Sequence, residues 1–124
     1  MSATLAELLK DIRADLGADF IASDIVGMDG MSIAGEHGRG DYEAEMVAAH
    51  FAMVMKLAAK VSGEMQMGEV RENQVNTEKA MVFSRQLADT DFFWLLATSR
   101  EATLGIVRSL LDEYELRLYA AIPG

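Results

Sequence analysis

Leu5, Leu8, Leu9, Ile12 and Leu16 recur at helical spacing, with Lys10, Asp11, Arg13 and Asp15 on the other side. That pattern predicts a first helix from about Thr4 to Leu16 lying on a core. Thr4 and Glu7 fit a capping box at its start, and Gly17 supplies a stop. Phe20 to Met28 reads as a strand and Met31 to Gly35 as its return. Between them stands Asp29-Gly30, a pair suited to a type I′ turn, which needs positive φ at both central residues. Glu36 to Gly40 is a glycine-rich loop, and Asp41 is placed to cap a second helix.

That second helix, from about Asp41 to Ser62, carries more apolar surface than a helix lying on one core requires. At about 100° per residue, Val47, Phe51, Val54, Ala58 and Val61 form a centre line, with Glu45, Lys56 and Lys60 roughly opposite. Two further apolar flanks lie between. One is bulky (Met46, His50, Met53, Leu57); the other is small (Ala44, Ala48, Ala52, Met55, Ala59). A surface helix of a monomer needs one stripe about 100° wide. The surplus fits a helix buried deep in its own domain, or a helix with one flank against a second chain. The second reading is the sharper one. It takes Met46, His50, Met53 and Leu57 as the partner-facing set and keeps the Ala48–Ala52 flank as the rival surface.

Glu64 to Gly68 is a linker. Glu69 to Thr77 is β-capable, but Arg71, Glu72, Asn73, Gln74 and Asn76 interrupt Val70 and Val75. So polar a strand belongs at a sheet edge, which makes Val70, Val75 and Thr77 candidates for contact with a partner. Glu78-Lys79 is a turn. Ala80 to Leu87 and Phe92 to Thr98 are the next strands, and the unbroken apolar run Phe92 to Ala97 suits a central strand covered on both faces. Thr98 and Glu101 fit a second capping box for a last helix from about Arg100 to Ala120, with Leu104, Val107, Leu111, Tyr114 and Leu118 as its stripe. Gly105 inside that helix costs about 1 kcal/mol against alanine, a cost that close helix–sheet packing would explain. Helix, two strands, helix, three strands, helix is an α+β order. It predicts an α/β/α sandwich, with a five-stranded antiparallel sheet covered by helices on both faces, as one domain over residues 1–124.

Composition narrows the function classes. Half of the residues are hydrophobic and a quarter charged, with one proline, as in a globular chain. The net charge of −9 disfavours nucleic acid and anionic lipid, whose binding rests on Lys and Arg. The chain has no cysteine, which removes disulfides and thiolate chemistry. Its uncharged stretches are short and mixed for a membrane span, and Met-Ser-Ala-Thr opens no signal peptide. The expected location is the cytoplasm, with no direct membrane insertion.

No residue set announces chemistry. Gly35-Glu36-His37-Gly38-Arg39-Gly40 precedes a helix but lacks the closing Gly-Lys-Ser/Thr of a phosphate loop. Arg39 is a minor candidate for reaching a partner's phosphates as an arginine finger. His37 and His50 lack zinc-ligand spacing. His50, on the bulky flank, is expected to be hydrogen-bonded and either buried or interfacial; at an interface it would make pairing pH-sensitive. Asp24 and Asp29 read as strand and turn residues, and Glu64, Glu69 and Glu72 as a solvated rim. No serine sits in a nucleophile elbow. Met46, Met53, Met55, Met65 and Met67 suit an adaptable contact surface. No catalytic residue, cofactor or metal is expected.

The same residues resemble the roadblock (dynein light chain roadblock-type) domain family, whose fold is profilin-like. The stretch Asp24-Ile25-Val26-Gly27-Met28-Asp29-Gly30-Met31-Ser32-Ile33-Ala34 is similar to the family's strand–DG–strand. Met46 to Val61 is similar to its alanine-rich second helix, and Val75 to Phe83 to its polar hairpin. Thr103-Leu104-Gly105-Ile106-Val107-Arg108 is similar to the N-x-G-x-x-R opening of its last helix, with Thr103 and Leu104 departing at the usual asparagine. The resemblance covers nearly the whole chain. It implies a homodimer or heterodimer in which second helices pair and third strands join edge to edge. It also implies a Ras-like small GTPase as partner, regulated or scaffolded without a catalytic set in this chain. The alternative is a sensory α/β domain holding a small molecule against its sheet, which predicts an enclosed apolar pocket.

Overall fold

The computed structural model describes residues 3–38, 40 and 42–123. The chain opens with helix α1, Leu5–Leu16. Thr4 Oγ1 accepts from the Glu7 amide at 3.2 Å while the Thr4 amide donates to Glu7 Oε1 at 3.3 Å. This is the reciprocal box that satisfies two free amides of the first turn. Gly17, at φ +58°, ends the helix, and Leu5, Leu8, Leu9 and Ile12 are its buried stripe. Strands β1 (Phe20–Gly27) and β2 (Ser32–His37) follow, then helix α2 (Ala44–Glu64), strands β3 (Glu72–Asn76), β4 (Ala80–Gln86) and β5 (Phe92–Ser99), and helix α3 (Leu104–Ala121).

The five strands form one antiparallel sheet in the order β2-β1-β5-β4-β3. The apolar β5 is therefore central, and Phe93 to Thr98 are buried. Leu8, Leu9, Ile12, Val107, Leu111 and Leu118 join Ile25, Phe83, Trp94 and Leu96 on one face. Ala48, Ala52 and Met55 join Val26, Phe93 and Leu95 on the other. Alternation along β5 thus feeds two cores. The fully buried Trp94 satisfies its indole N–H on Ser23 Oγ at 2.7 Å.

Four local expectations need correction. The first is the β1–β2 turn. Gly30 has φ +89°, whereas the positive-φ non-glycine residues described are Gln66 and Ala88, so Asp29 does not adopt the type I′ geometry. The Gly30 amide donates to Gly27 O and the Gly27 amide to Met31 O, both at 2.8 Å, closing a three-residue loop with glycine at the left-handed position. Asp29 Oδ1 accepts the Met31 amide at 3.0 Å. Val26 then faces Ser32 but Ile25 faces Ala34. Ile33 is the extra residue of a bulge, which restores the pairing a two-residue turn would have set. β2 continues through Glu36 and His37, which pair with Ser23 and Ala22. Arg13 fastens this extension, reaching Glu36 Oε2 at 2.7 Å and His37 O at 3.2 Å.

The second is the orientation of α2. The small flank, not the centre line, meets the sheet: Ala48, Ala52 and Met55 are buried, Val47 and Phe51 only pack at the margin, and Val54 and Val61 are exposed. Small side chains let the helix axis come close. A Cβ added at Gly30 would lie 3.4 Å from Ala49 Cα. The helix starts at Ala44, with Glu43 at the cap position making no side-chain cap bond; Asp41 lies outside the described residues.

The third is the start of α3. Thr98 is buried within β5 and its hydroxyl donates to Ser99 O at 3.2 Å, so it does not cap. The helix begins after Thr103, which makes no side-chain cap bond either. Val107, Leu110, Leu111, Tyr114 and Leu118 are buried, while Leu104 is exposed. The fourth is Gly105, where a Cβ would meet nothing within 4 Å, so packing does not explain the glycine. Gly105→Ala is expected to raise stability by ~0.5–1 kcal/mol through helix propensity, read as a higher urea midpoint at unchanged slope.

Candidate functional site

With its small flank on the sheet, α2 presents its bulky flank outward. Met46 is 56% exposed, Met53 65% and Leu57 62%, and Val54 and Val61 extend the same bare stripe. His50 stands among them, exposed, its Nδ1–H donating to Met46 O at 2.8 Å. By length and composition α2 is long and apolar enough to cross a membrane, and 17% of its most apolar window is buried in the protomer. Rows of exposed apolar side chains like this are the kind of surface at which folded chains meet partners or membranes. The four residues read from the wheel, Met46, His50, Met53 and Leu57, are thus brought together on one open face.

The sheet edge opposite β2 is β3. It pairs with β4 on one side and with no strand on the other among the described residues. Val75 lies in β3 opposite Val82. Val70 precedes the strand and packs against the core beneath α2. Thr77 follows it, and its hydroxyl accepts the amides of Lys79 and Ala80 at 3.2 and 3.0 Å, closing the β3–β4 turn. Of these three candidates, only Val75 sits in the strand itself.

β3 is held from behind by an ion-pair network. Arg85 Nε donates to Glu72 Oε1 at 2.8 Å, and its Nη1 donates to both Asp112 Oδ1 at 2.9 Å and Glu115 Oε1 at 3.0 Å. Arg108 on α3 adds contacts to Glu72 and Gln74 and lies over the Phe83 ring at 5.5 Å. Glu72, expected in a solvated rim, instead ties edge strand to helix. Residues 72 and 108 are far apart in sequence, and no local pattern signals that link.

A second constellation lies under the start of α2. Asp24 is almost fully buried. Its Oδ1 accepts from Ser32 Oγ at 3.2 Å and lies 3.0 Å from His37 Nε2. The His37 ring leans on Tyr42, centroids 5.2 Å apart. A Cβ at Gly35 would collide with the Asp24 carboxylate and crowd His37, so glycine leaves room for this pair. Burial pushes the Asp24 carboxyl above its ordinary value of 3.8, an effect that hydrogen bonding and charge from His37 and the Ser32 hydroxyl only partly offset. Burial and the Asp24 charge together push the Tyr42 phenol up. The acceptors within reach of the Ser32 hydroxyl are Asp24 Oδ1 at 3.2 Å and Ala34 O at 3.0 Å, not the imidazole, so the hydroxyl–imidazole–carboxylate order of an activated nucleophile is not made. The group is a clasp between β1, β2 and the approach to α2. Its signal was the hairpin register, which sets Asp24 opposite Gly35 and leaves His37 two residues further along.

The folded state holds the Asp24 proton more tightly than the unfolded chain does. The contribution of this group to stability is therefore full below pH 3.8 and falls as pH rises toward the higher folded-state value. Asp24→Asn keeps an acceptor and removes the titration. It is expected to flatten the decline of stability above pH 3.8 by up to about 1.4 kcal/mol per pH unit. Urea unfolding of both proteins across that range measures the difference, and identical slopes would refute the assignment.

Arg39 lies outside the described residues. Two clefts border the elements above. One, of about 730 Å³, lies between the end of α2 and the β4–β5 turn, with Met55, Ala59, Val70 and Gln86 in its walls. The other, of about 570 Å³, lies beside Asp24 and His37. Both are open to solvent and neither is the enclosed apolar pocket that a small-molecule sensor predicts.

No family model and no curated protein matches the chain. Solved structures do. MglB of Myxococcus xanthus superposes with TM-score 0.84 at 12% identity, over 94% of this chain and 92% of that one; MglB in a tetrameric arrangement also reaches 0.84 at 12% identity, over 94% and 86%. A Roadblock/LC7 domain from Streptomyces avermitilis gives 0.77 at 16% identity, over 96% and 94%. The profilin-like architecture holds as well, since profilin IA of Acanthamoeba castellanii gives 0.59 at 13% identity, over 90% and 96%. The chain has the roadblock/LC7 fold.

Proposed function

We propose that this roadblock-fold chain is a non-catalytic homodimer that regulates or scaffolds a Ras-like small GTPase in the cytoplasm, acting through protein–protein contacts. The observation that carries the pairing is the bare Met46–Met53–Leu57 stripe on a helix whose opposite flank already serves the core. In the pair, α2 lies against its copy and the open edge of β3 meets its equivalent. Such a contact is isologous, the same patch facing itself. The tetrameric arrangement of MglB supports self-association as a use of this fold.

The GTPase half of the reading rests on the roadblock resemblance. The chain acts on a GTPase by preferring one nucleotide state, since a ligand shifts an equilibrium only by its differential affinity for the two states. The test uses the Ras-like GTPase encoded nearest its gene, loaded with GDP or with a non-hydrolysable GTP analogue, and calorimetric titration of this protein into each. Binding that differs between the two states is expected. Absence of binding to both would sink the GTPase assignment while leaving the pairing untouched.

A further inference from the structure

The chain has nine methionines and no cysteine, so thioethers are the only sulfur it offers to a peroxide. Met46 and Met53 stand two helical turns apart on α2, on the bare stripe and more than half exposed. Met55 and Met81 are buried and shielded. Met31, at the β1–β2 hairpin, is 68% exposed and lies at the opposite edge of the sheet from β3.

We propose that Met46 and Met53 form an oxidation site whose modification opposes self-association, an inference that rests on the α2 pairing set out above. The oxidant is a hydroperoxide. A thioether lone pair attacks its terminal oxygen, the O–O bond breaks and an S–O bond forms. The sulfur gives up two electrons, the proton of the transferred oxygen ends on the leaving oxygen, and the peroxide departs as water or an alcohol. The product is a polar, chiral sulfoxide where an apolar, flexible side chain stood. A symmetric pair brings four such groups into one interface, and each must shed its hydration for the chains to meet. Each oxidised thioether weakens pairing about tenfold, in line with the worth of burying an apolar side chain. Both effects arise at the same contact: pairing hides the thioethers from the oxidant, and oxidation opposes pairing.

The experiment treats the full chain with hydrogen peroxide at dilute and concentrated protein, follows each methionine by peptide mass spectrometry, and sediments the product. Relative to Met31, Met46 and Met53 are expected to oxidise several-fold more slowly in concentrated protein, and the oxidised chain to sediment as a monomer with unchanged circular dichroism. The double variant Met46→Leu and Met53→Leu is expected to stay paired after the same treatment. A paired native protein whose Met46 and Met53 oxidise at concentration-independent rates, or whose leucine variant also dissociates on oxidation, overturns the proposal and leaves the pairing standing. A native protein monomeric at every concentration overturns the pairing and the proposal together.

Discussion

Replacing both Met53 and Leu57 with aspartate is expected to abolish self-association and leave the protomer folded. Both side chains project from the outer face of α2 and are well over half exposed, so neither contributes much to the protomer's own core. Surface changes of this kind usually alter stability by less than about 0.5 kcal/mol. In a symmetric pair each change counts twice. Every copy loses apolar burial worth about 1.5–3 kcal/mol per fully covered side chain, and it sets a carboxylate where water must leave. The dissociation constant is expected to rise at least about a hundredfold, each tenfold step being about 1.4 kcal/mol. Sedimentation velocity against concentration reads the association, and a thermal melt by circular dichroism reads the fold. A variant that still pairs like the native protein would place the interface elsewhere.

The opposite flank is expected to behave in the opposite way. Ala52→Leu pushes a larger side chain into the seam between α2 and the sheet, where Ala52 is buried beside Val26, Phe93 and Leu95. The approach is already close, with Ala49 Cα 3.4 Å from where a Cβ on Gly30 would sit. Overpacking of this kind costs about 1–3 kcal/mol, visible as a lower urea midpoint in dilute, unpaired protein. Leu57→Ala under the same conditions is expected to cost under about 0.5 kcal/mol. Had the Val47–Phe51–Val54 line faced the sheet, Ala52 and Leu57 would lie on its two margins and the two costs would be comparable, so the pair of variants decides the orientation of the helix.

That orientation shows where reading residues in order stops. Element order, the capping box at Thr4, the central place of β5 and the polar edge at β3 were legible because each rests on local spacing or on burial of a whole strand. The face α2 turns to the core was not. A wheel ranks side chains by hydrophobicity, while helix–sheet packing selects for distance of approach, and Ala48 and Ala52 win that contest against Val54. Asp29-Gly30 marked the glycine of the turn but not the loop length, since glycine serves both the two-residue turn and the three-residue loop with a bulge. Thr98 and Glu101 had the spacing of a cap, yet the ladder of β5 had first claim on Thr98. The Asp24–His37 clasp and the Arg85–Glu72–Arg108 network come from elements brought together by the fold, which residue types alone do not disclose.

The outer face of α2 as a self-pairing surface is the claim on which the rest depends, and sedimentation equilibrium of the native chain over a wide concentration range tests it most directly. The expected result is a reversible association to twice the protomer mass of 13.6 kDa. A mass that stays at 13.6 kDa at every concentration would contradict it.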